Sequence, residues 1–526
     1  MKIQLYDTTL RDGVQGCGIE YTPDDALRVA ELLDQLGMDY IEFCNFDEAS
    51  PSEAGSLLEK IPALRAEVTI FGSTCHPDED PSDNRRLCAA AASRFQTVTI
   101  VGKASLFQVT EILHTTAEEN LRMIRDTIGF LTEREKKVLF DAEHFFDGYA
   151  DNPAYAVEVL ETAWQAGAGM LILCDTNGGM LPDAVGLATG EVIRRFPGDV
   201  RFGIHCHNDI GMAEADSLEA VLSGAVMVQG SVSGMGERCG NANLNTLIPL
   251  LQLKLGYSCI ASEQLERLTP TVRRINELAN RAFDENEPFV GSHAFTHKAG
   301  MHIDGVNKNP RSFEHIDPAL VGNERNYLAS RLSGRAAALK FLHTAIPELT
   351  DLDKNSDKVI GALELLRQKE NEGYNYEGAS ASLWLLLRNH FGLGRRSFEL
   401  IHYQVNINES SSESLCTAIV KIRVGEISTL TAAEGNGPVN ALDIALRRAL
   451  TGFYPQAGAI RLTDYRVRVL ASAKATASTV RVVIETTDGI RTWRTTGASF
   501  DIIDASWQAL ADSYEYAFQT SRKDTD

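Results

Sequence analysis

A pair of histidines two residues apart is the sequence feature with the most specific chemistry. His205 and His207 close a short apolar run that is predicted to be a β-strand, where a spacing of two places both side chains on one face. Asp12 and Asn241 are predicted near the ends of two further strands. Two imidazoles and two oxygen donors suit a divalent cation with open positions, such as Mn²⁺, Mg²⁺ or Zn²⁺. The alternative is that the histidines only cap the strand through hydrogen bonds.

Charged side chains flank these candidate ligands. Arg11 precedes Asp12 and either shapes the strand end through an ion pair or offsets negative charge that develops on a substrate oxygen. Glu143 follows another predicted strand, and it fits a general acid or base as well as an orienting group. The residues alone leave these alternatives open.

A second histidine-containing segment, residues 297–302, lies outside the predicted strands. His297 and His302 are five residues apart, which is a poor spacing for one metal ion on a helix. His302 is instead a candidate general base on a lid, with Asp304 able to orient it or raise its pKa, or the segment is a solvated polar loop. Residues 294–340 carry seven basic against four acidic side chains, so this region either binds a phosphate-bearing molecule or is a solvated helix face.

The first 257 residues predict a scaffold that gathers strand ends. Short apolar runs recur roughly every 30 residues, the length of a βα unit, and amphipathic helical patterns such as 24–36, 118–131 and 154–165 separate them. Eight such units with right-handed crossovers predict a closed parallel (β/α)8 TIM barrel, whose active site lies at the carboxyl ends of the strands. An open doubly wound sheet is disfavoured because no G-x-G-x-x-G follows the first run. The predicted strands are residues 3–6, 40–43, 68–71, 98–101, 138–140, 170–173, 200–204 and 225–228.

Two further regions follow the predicted barrel. Residues 258–396 have a mostly helical pattern, which predicts a helical linker with a lid. Residues 397–526 contain two similar passages, each of three alternating segments and an amphipathic helix. They predict a C-terminal α+β domain of duplicated βββα units, an arrangement more typical of ligand binding or assembly than of catalysis.

Composition limits the partners and the compartment. The chain has 72 acidic and 50 basic residues and a net charge of −22, which disfavours nucleic acid and anionic membranes as partners. No apolar run reaches the ~18 residues of a membrane helix, and the N-terminal residues lack the pattern of a signal peptide. Nine cysteines without a C-x-x-C pair are typical of reduced thiols, which predicts a cytoplasmic protein.

The motifs together resemble a known enzyme family. The chain is similar to the metal-dependent acyl-CoA Claisen-condensing synthases, which include the isopropylmalate, homocitrate and citramalate synthases. The resemblance extends from Lys2 to about Tyr516 and is strongest to the citramalate synthases. It is carried by DTTLRDG, HCHND, GERCGNANL and HKAGMH, and more finely by LYDTTLRDGVQG, FDAEHFFDGY, CDTNGG, HIDPALVGNER, LSGR and GNGPVNALDIALRRAL.

This resemblance implies a reaction and a set of roles. Acetyl-CoA would condense with pyruvate, and hydrolysis of the thioester would release citramalate and CoA at the start of a route to 2-oxobutyrate and isoleucine. His302, on a lid of the partner subunit in a homodimer, would help to deprotonate acetyl-CoA, with Asp304 assisting and Tyr327 as a further lid hydroxyl. Glu143 would lie near the reacting carbons. The implied metal ligands are Asp12, His205, His207 and Asn241, and the implied substrate-binding residues are Arg11, Asp12, Thr176 and Asp304, of which Arg11 and Thr176 would contact the 2-oxo acid.

The resemblance also implies regulation by a product of the route. The C-terminal domain would bind an end-product amino acid, isoleucine or leucine, and residues 435–441 would open a helix at the dimer interface.

Three alternatives to this reaction remain. A sibling such as 2-isopropylmalate synthase would act on another 2-oxo acid, because residues 42–46 depart from the Gly-Gly-Trp-Pro turn of the citramalate group. In that turn Phe43 and Phe46 either pack in the core or reshape the substrate pocket. A retro-Claisen lyase is disfavoured by the presence of a C-terminal domain, and a non-catalytic amino-acid sensor by the presence of all four candidate ligands.

Overall fold

The chain forms two compact units. One consists of Met1–Phe295 and Ile316–Arg325, and the other of Thr296–His315 and Asn326–Asp526. The computed structural model describes residues 1–47, 51–60, 64–298, 300–327, 339, 342–343, 346, 348–349, 352–353, 356–376, 378–409, 414–470, 478–489 and 491–521.

Eight parallel strands close into a barrel in the first unit, which confirms the predicted fold. Each strand pairs with the next one along the chain, and the last pairs with the first, with Gln4 opposite Met227 and Asp7 opposite Gly230. Every predicted apolar run lies in or overlaps a strand. The strands are β1 (Gln4–Asp7), β2 (Tyr40–Asn45), β3 (Glu67–Ser73), β4 (Thr97–Lys103), β5 (Lys137–Glu143), β6 (Met170–Asp175), β7 (Phe202–Cys206) and β8 (Met227–Gly230).

Helices follow every strand of the barrel. Thr22 and Thr116 cap two of them by accepting hydrogen bonds from backbone N–H groups three residues on. Gly37, at a left-handed φ of 98°, ends the first helix and turns the chain towards β2. The helices are α1 (Pro23–Leu36), α2 (Pro51–Leu58), α3 (Arg85–Ala92), α4 (Ala117–Thr132), α5 (Phe145–Asp151), α6 (Pro153–Gln165), α7 (Pro182–Ile193), α8 (Ala213–Leu222) and α9 (Leu244–Pro249).

Alternation along the strands divides the barrel into two buried layers. One face of the strands packs against the helices through residues such as Leu5, Ile41 and Phe140. The opposite face fills the interior, where a separate apolar cluster includes Tyr6, Leu139 and Met227. Residues two apart on a strand share a face, so the interior face continues past this apolar cluster towards the carboxyl ends of the strands. The interior side chains there are polar. These buried polar residues are Glu42, Thr99, Asp141, His205 and Gln229.

The first unit is completed by helices that follow the barrel. They are α10 (Ser262–Leu265) and α11 (Leu268–Leu278). Residues 316–325 of the HIDPALVGNER motif belong to this unit, and Thr269 donates a hydrogen bond to the carbonyl of Val321 at 2.7 Å. Asn323 donates to two backbone carbonyls of this unit, both at 2.9 Å.

Among the residues that the structure describes, the second unit begins with a short parallel ladder and several helical segments. β9 (Thr296–His297) pairs with β10 (Asn326–Tyr327). The segments are α12 (Gly300–Lys308), a 3₁₀ turn at Pro310–Ser312, α13 (Asp357–Asn371) and α14 (Ser380–His390).

The C-terminal domain is a duplicated βββα structure, as predicted. In both halves a threonine of the third strand donates to a helix carbonyl fourteen residues on, Thr431 to Ala445 and Thr495 to Ala509, each at 2.7 Å. The first half is β11 (Glu399–Glu409), β12 (Ser414–Val424), β13 (Ile427–Gly435) and α15 (Pro438–Thr451). The second half is β14 (Arg461–Val469), β15 (Val480–Thr487), β16 (Thr492–Ser499) and α16 (Ile502–Ser521).

Helix α14 belongs to the core of this domain. Ala381 is fully buried in the same apolar cluster as Phe398 and Leu510. Ser382 donates a hydrogen bond of 2.6 Å to Asp512 of α16. The helical pattern of residues 258–396 therefore includes one helix that packs with the C-terminal domain. Among the helices that the structure describes, none is long and apolar enough to cross a membrane.

Candidate active site

The candidate metal ligands meet at the carboxyl end of the barrel. Asp12 lies in the turn after β1, His205 lies in β7 and His207 follows that strand; all three are at least nine-tenths buried. The two Nε2 atoms are 3.4 Å apart and lie 3.7 Å and 4.0 Å from Oδ2 of Asp12. The three ligand atoms therefore converge on one point, which confirms that the histidine pair shares a face.

Asn241 lies beside this group. Its backbone bridges to His207, and its Nδ2 donates to the hydroxyl of Thr8 at 3.1 Å. Oδ1 of Asn241 and Oδ1 of Asp12 are buried and have no hydrogen-bond partner among the described residues. Gly236 permits this approach, since a Cβ there would lie 2.8 Å from Oδ1 of Asn241. Unsatisfied buried oxygens beside two imidazole nitrogens fit a divalent cation with mixed nitrogen and oxygen ligands.

The charge states of the site suit metal binding. Burial opposes ionisation of Asp12, but Arg11 and the two histidines outweigh it and hold the pKa of Asp12 below its usual value. Burial, with His207 acting in the same direction, lowers the pKa of His205 to about 4, and burial also lowers the pKa of His207. At neutral pH the site therefore presents a carboxylate and two neutral imidazoles, the forms that bind metal ions.

Arg11 is held rigidly next to the candidate ligands. Its Nε donates to Oε2 of Glu42 at 2.6 Å, and its Nη1 donates to Oδ2 of Asp12 at 3.3 Å. The guanidinium carbon lies 3.9 Å from the ring centroid of Phe71, and Glu42 also accepts from the hydroxyl of Tyr6 at 2.6 Å. Nη2 of Arg11 has no hydrogen-bond partner within the described ranges. The ion pair predicted as one alternative exists, and it leaves a donor for a substrate oxygen.

Glu143 ends β5 opposite Lys103, the last residue of β4, and the two side chains form an ion pair. Each is about three-quarters buried. Lys103 is not among the site residues that the sequence motifs predict, although it ends a barrel strand. The rule that strand ends line the mouth would have found it.

Thr176 follows β6 and links three of the loops at the mouth. Its hydroxyl accepts a hydrogen bond from the backbone N–H of His144 at 2.8 Å, so its own proton remains available for donation. Its carbonyl accepts from Arg238 at 2.7 Å. Arg238 also makes two hydrogen bonds to Asp209, at 2.9 and 3.0 Å, which fixes the loops after β7 and β8 against Thr176.

The remaining predicted site residues lie in the second unit. His302 is half-buried on α12, and its ring stacks on Phe313 with centroids 4.2 Å apart. Asp304 is exposed and pairs with Lys308 at 2.6 Å. Helix residues two apart do not face each other, so the structure does not place Asp304 where it orients His302. The hydroxyl of Tyr327 donates to Asn307 at 3.0 Å.

The predicted basic region is only partly described. Lys308 is paired with Asp304, as above. Arg331, Arg335 and Lys340, with the LSGR motif, lie outside the described residues.

The end of β2 and the residue that follows it pack in the core. Phe43 and Phe46 are 7% and 3% exposed and belong to the main apolar cluster. The ring of Phe46 lies against Gly72 of β3, where a Cβ would be 2.1 Å from a ring carbon. Of the two predicted alternatives for these rings, the geometry favours packing.

Comparison with known proteins identifies similar families and relatives along the whole chain. The HMGL-like family model matches residues 2–272, and the LeuA allosteric (dimerisation) domain model matches residues 377–518. Residues 289–360 match the model described as homocitrate synthase post-HMGL domain-like. The (R)-citramalate synthase of Aquifex aeolicus is 43% identical, covering 98% of this chain and 97% of the relative, and that of Synechocystis is 44% identical over 98% and 96%.

The chain belongs to the (R)-citramalate synthase family. A 2-isopropylmalate synthase from Listeria innocua is 28% identical, covering 99% of this chain and 98% of that enzyme. The two citramalate synthases named above are thus more similar to this chain than this 2-isopropylmalate synthase is, and all three comparisons extend over nearly the whole chain. Residues 42–46 depart from the turn expected for the citramalate synthase family, but the chain as a whole still belongs to this family.

Proposed function

We propose that this protein condenses acetyl-CoA with pyruvate and water to give citramalate, CoA and a proton. The cluster of Asp12, His205, His207 and Asn241 beside Arg11 carries this proposal, in a chain whose relatives at 43% and 44% identity are (R)-citramalate synthases. These four side chains would hold the divalent cation, Mn²⁺, Mg²⁺ or Zn²⁺. When bound, the cation supplies Lewis-acid polarisation of the 2-oxo acid carbonyl.

Side chains of the protein carry out the remaining steps of the reaction. The partner subunit's His302 takes a proton from the methyl group of acetyl-CoA, and the enolate carbon then attacks the ketone carbon of pyruvate. Arg11 donates to the oxygen on which negative charge develops, while Thr176 donates to the pyruvate carboxylate. Glu143, held by Lys103, lies near the reacting carbons. Water finally hydrolyses the thioester and releases CoA.

The test is release of CoA thiol from acetyl-CoA with Mn²⁺ or Mg²⁺ and each of five 2-oxo acids. These are pyruvate, 2-oxobutyrate, 2-oxoisovalerate, 2-oxoglutarate and oxaloacetate. We expect the highest kcat/KM with pyruvate and weak release with 2-oxoisovalerate. A preference for 2-oxoisovalerate would instead make the protein a 2-isopropylmalate synthase, and citramalate identified by mass spectrometry would exclude simple thioester hydrolysis.

Replacing Lys103 with methionine is expected to lower kcat/KM by roughly 10- to 100-fold. This loss is no larger than the one seen when a donor that stabilises charge in the transition state is removed. The reason is that Glu143 loses the cation that fixes its carboxylate. Lys137→Met is the matched control, since Lys137 forms a similar pair with Glu67 at 2.9 Å but begins β5 at the opposite end of the barrel. Equal activities of the two variants would exclude a role for Lys103 at the mouth.

We also propose that the C-terminal domain binds isoleucine or leucine, and that the protein works as a homodimer in the cytoplasm at the start of a route to 2-oxobutyrate and isoleucine. The match of residues 377–518 to an allosteric and dimerisation domain supports regulation and dimer formation. Nine free thiols support a reducing compartment.

The effector should stabilise the C-terminal domain against unfolding. Three of the four tryptophans, Trp384, Trp493 and Trp507, lie in this part of the chain, so tryptophan fluorescence reports mainly on it. A ligand at 100 times its Kd stabilises the folded state by about 2.7 kcal/mol, and we expect the inhibitory amino acid to raise the midpoint of thermal unfolding. Glycine is the control. An amino acid that inhibits turnover without moving this transition would act outside the C-terminal domain.

A further inference from the structure

One buried side chain next to the metal site has no role in the mechanism above. Gln229 is the third residue of β8, is fully buried, and shares the interior face of the barrel with Met227. Its amide connects two other strands: Oε1 lies 2.9 Å from Nδ1 of His205 on β7, and Nε2 lies 3.1 Å from Oδ1 of Asp141 on β5. A polar side chain fully removed from water is costly unless its hydrogen bonds are satisfied, and both ends of this amide are.

The direction of these bonds determines which imidazole nitrogen carries the proton. The amide NH₂ group can only donate, and the carboxyl oxygen of Asp141 accepts from it. Burial, with Glu42 acting in the same direction, raises the pKa of Asp141 to about 8, and a neutral carboxyl group still accepts through its carbonyl oxygen. The amide oxygen therefore faces His205 and accepts a hydrogen bond from its Nδ1–H group. A neutral imidazole protonated at Nδ1 has its lone pair on Nε2.

That nitrogen is the one that faces the other candidate ligands. Nε2 of His205 lies 3.4 Å from Nε2 of His207 and 3.7 Å from Oδ2 of Asp12. His207 differs, because its Nδ1 is buried and has no hydrogen-bond partner among the described residues. Of the two imidazoles, only that of His205 has a side-chain partner at Nδ1 in the part of the chain that the structure describes.

We propose that Gln229 is a positioning residue that fixes the tautomer and the ring orientation of His205, with Asp141 holding the Gln229 amide in the required direction. The inference deepens the proposed function and rests on its metal site. Groups that orient a metal-binding histidine typically change metal affinity by 10- to 100-fold when they are removed.

The experiment compares three full-length variants by their Kd for Mn²⁺, measured from the electron paramagnetic resonance signal of free Mn²⁺. Gln229→Met has a similar length but neither accepts nor donates, and its Kd should rise roughly 10- to 100-fold. Gln229→Glu keeps an oxygen acceptor for Nδ1 and should restore most of the affinity. Thr99→Val is the matched control, because Thr99 is a buried polar residue inside the same barrel that bonds Tyr6 and not His205.

A second measurement needs no metal and no activity. In metal-free protein labelled with ¹⁵N-histidine, the signals of His205 are assigned as those that disappear in His205→Ala. Their ¹⁵N shifts should show the Nδ1–H tautomer in wild type. They should show a mixture of tautomers in Gln229→Met. If Gln229→Met is too unstable for metal titration, the ¹⁵N shifts of wild type and Gln229→Glu can still be measured at low temperature.

The outcomes separate this inference from the proposed function. A Kd for Gln229→Met within twofold of wild type, or equal losses in Gln229→Met and Gln229→Glu, would overturn the positioning role while leaving the synthase reaction intact. Predominant Nε2–H in wild-type His205 would overturn it as well. If wild-type protein binds no Mn²⁺ but shows the Nδ1–H tautomer, the metal site of the proposed function fails, and with it any role of Gln229 in metal binding.

Discussion

Replacing His205 with alanine is expected to abolish metal-dependent citramalate formation, with a loss in kcat/KM on the order of 10³-fold or more, the size seen when an electrostatic stabiliser of the transition state is lost. The variant removes one of two nitrogen ligands from a site where Nε2 lies 3.7 Å from Oδ2 of Asp12. It also leaves the amide oxygen of Gln229 buried without its partner. Both effects weaken metal binding, so the loss should persist at high pyruvate concentration.

The measurements for this prediction are CoA release over a range of Mn²⁺ concentrations and the Kd for Mn²⁺. His144→Asn is the matched control. His144 is a half-buried histidine at the same mouth, it pairs with Asp147, and its left-handed φ of 58° is tolerated by asparagine. We expect this control to bind Mn²⁺ within about twofold of wild type, as for a residue that does not act on the metal. Full activity of His205→Ala in metal-free buffer would disprove the metal assignment.

Replacing Arg11 with lysine is expected to lower kcat by about 10²- to 10³-fold with a much smaller change in KM for pyruvate. Lysine keeps the positive charge but has no planar fork, so it cannot contact Glu42 and Asp12 while stacking on Phe71. The charge that stabilises the developing alkoxide then loses its fixed position. Lysine is preferable to alanine because an unpaired buried Glu42 would destabilise the fold by about 3–5 kcal/mol.

A control arginine separates catalysis from folding. Arg122 bonds Glu119 and Asp126 on the outer helix α4, at 2.6 to 3.0 Å, and Arg122→Lys should leave kcat unchanged. Thermal unfolding of both variants shows how much folded protein each sample contains. If Arg11→Lys unfolds earlier but has wild-type kcat per folded molecule, Arg11 serves only to shape the strand end.

Local patterns were sufficient to predict much of this fold. The interior and exterior faces of each barrel strand follow from alternation, and repetition of one βα unit leaves few ways to bury eight apolar strands. The duplicated C-terminal units follow from the same kind of pattern, and the paired Thr431 and Thr495 bonds show how closely the halves correspond. Helix α14 is the exception, because its apolar pattern does not indicate which domain it packs against.

The candidate site was predictable where chemistry depends on residue type and strand position. Asp12, His205 and His207 follow that rule, and they converge in the structure. Lys103 follows the same rule, because it ends β4, but no motif marks it. The orienting role expected for Asp304 does not follow from such a rule: residues two apart on a helix do not face each other, and Asp304 pairs with Lys308.

What the sequence determined by itself is the set of groups available at the mouth of the barrel, because strand periodicity and strand ends are local properties of the chain. Only the tertiary structure decided how those groups are paired. Glu42 with Arg11, and Gln229 with His205, are 31 and 24 residues apart, and each pair spans two different segments of the barrel. Hydrogen bonds between such residues depend on the closure of the barrel and on orientations set to within a few tenths of an ångström, which no local pattern encodes.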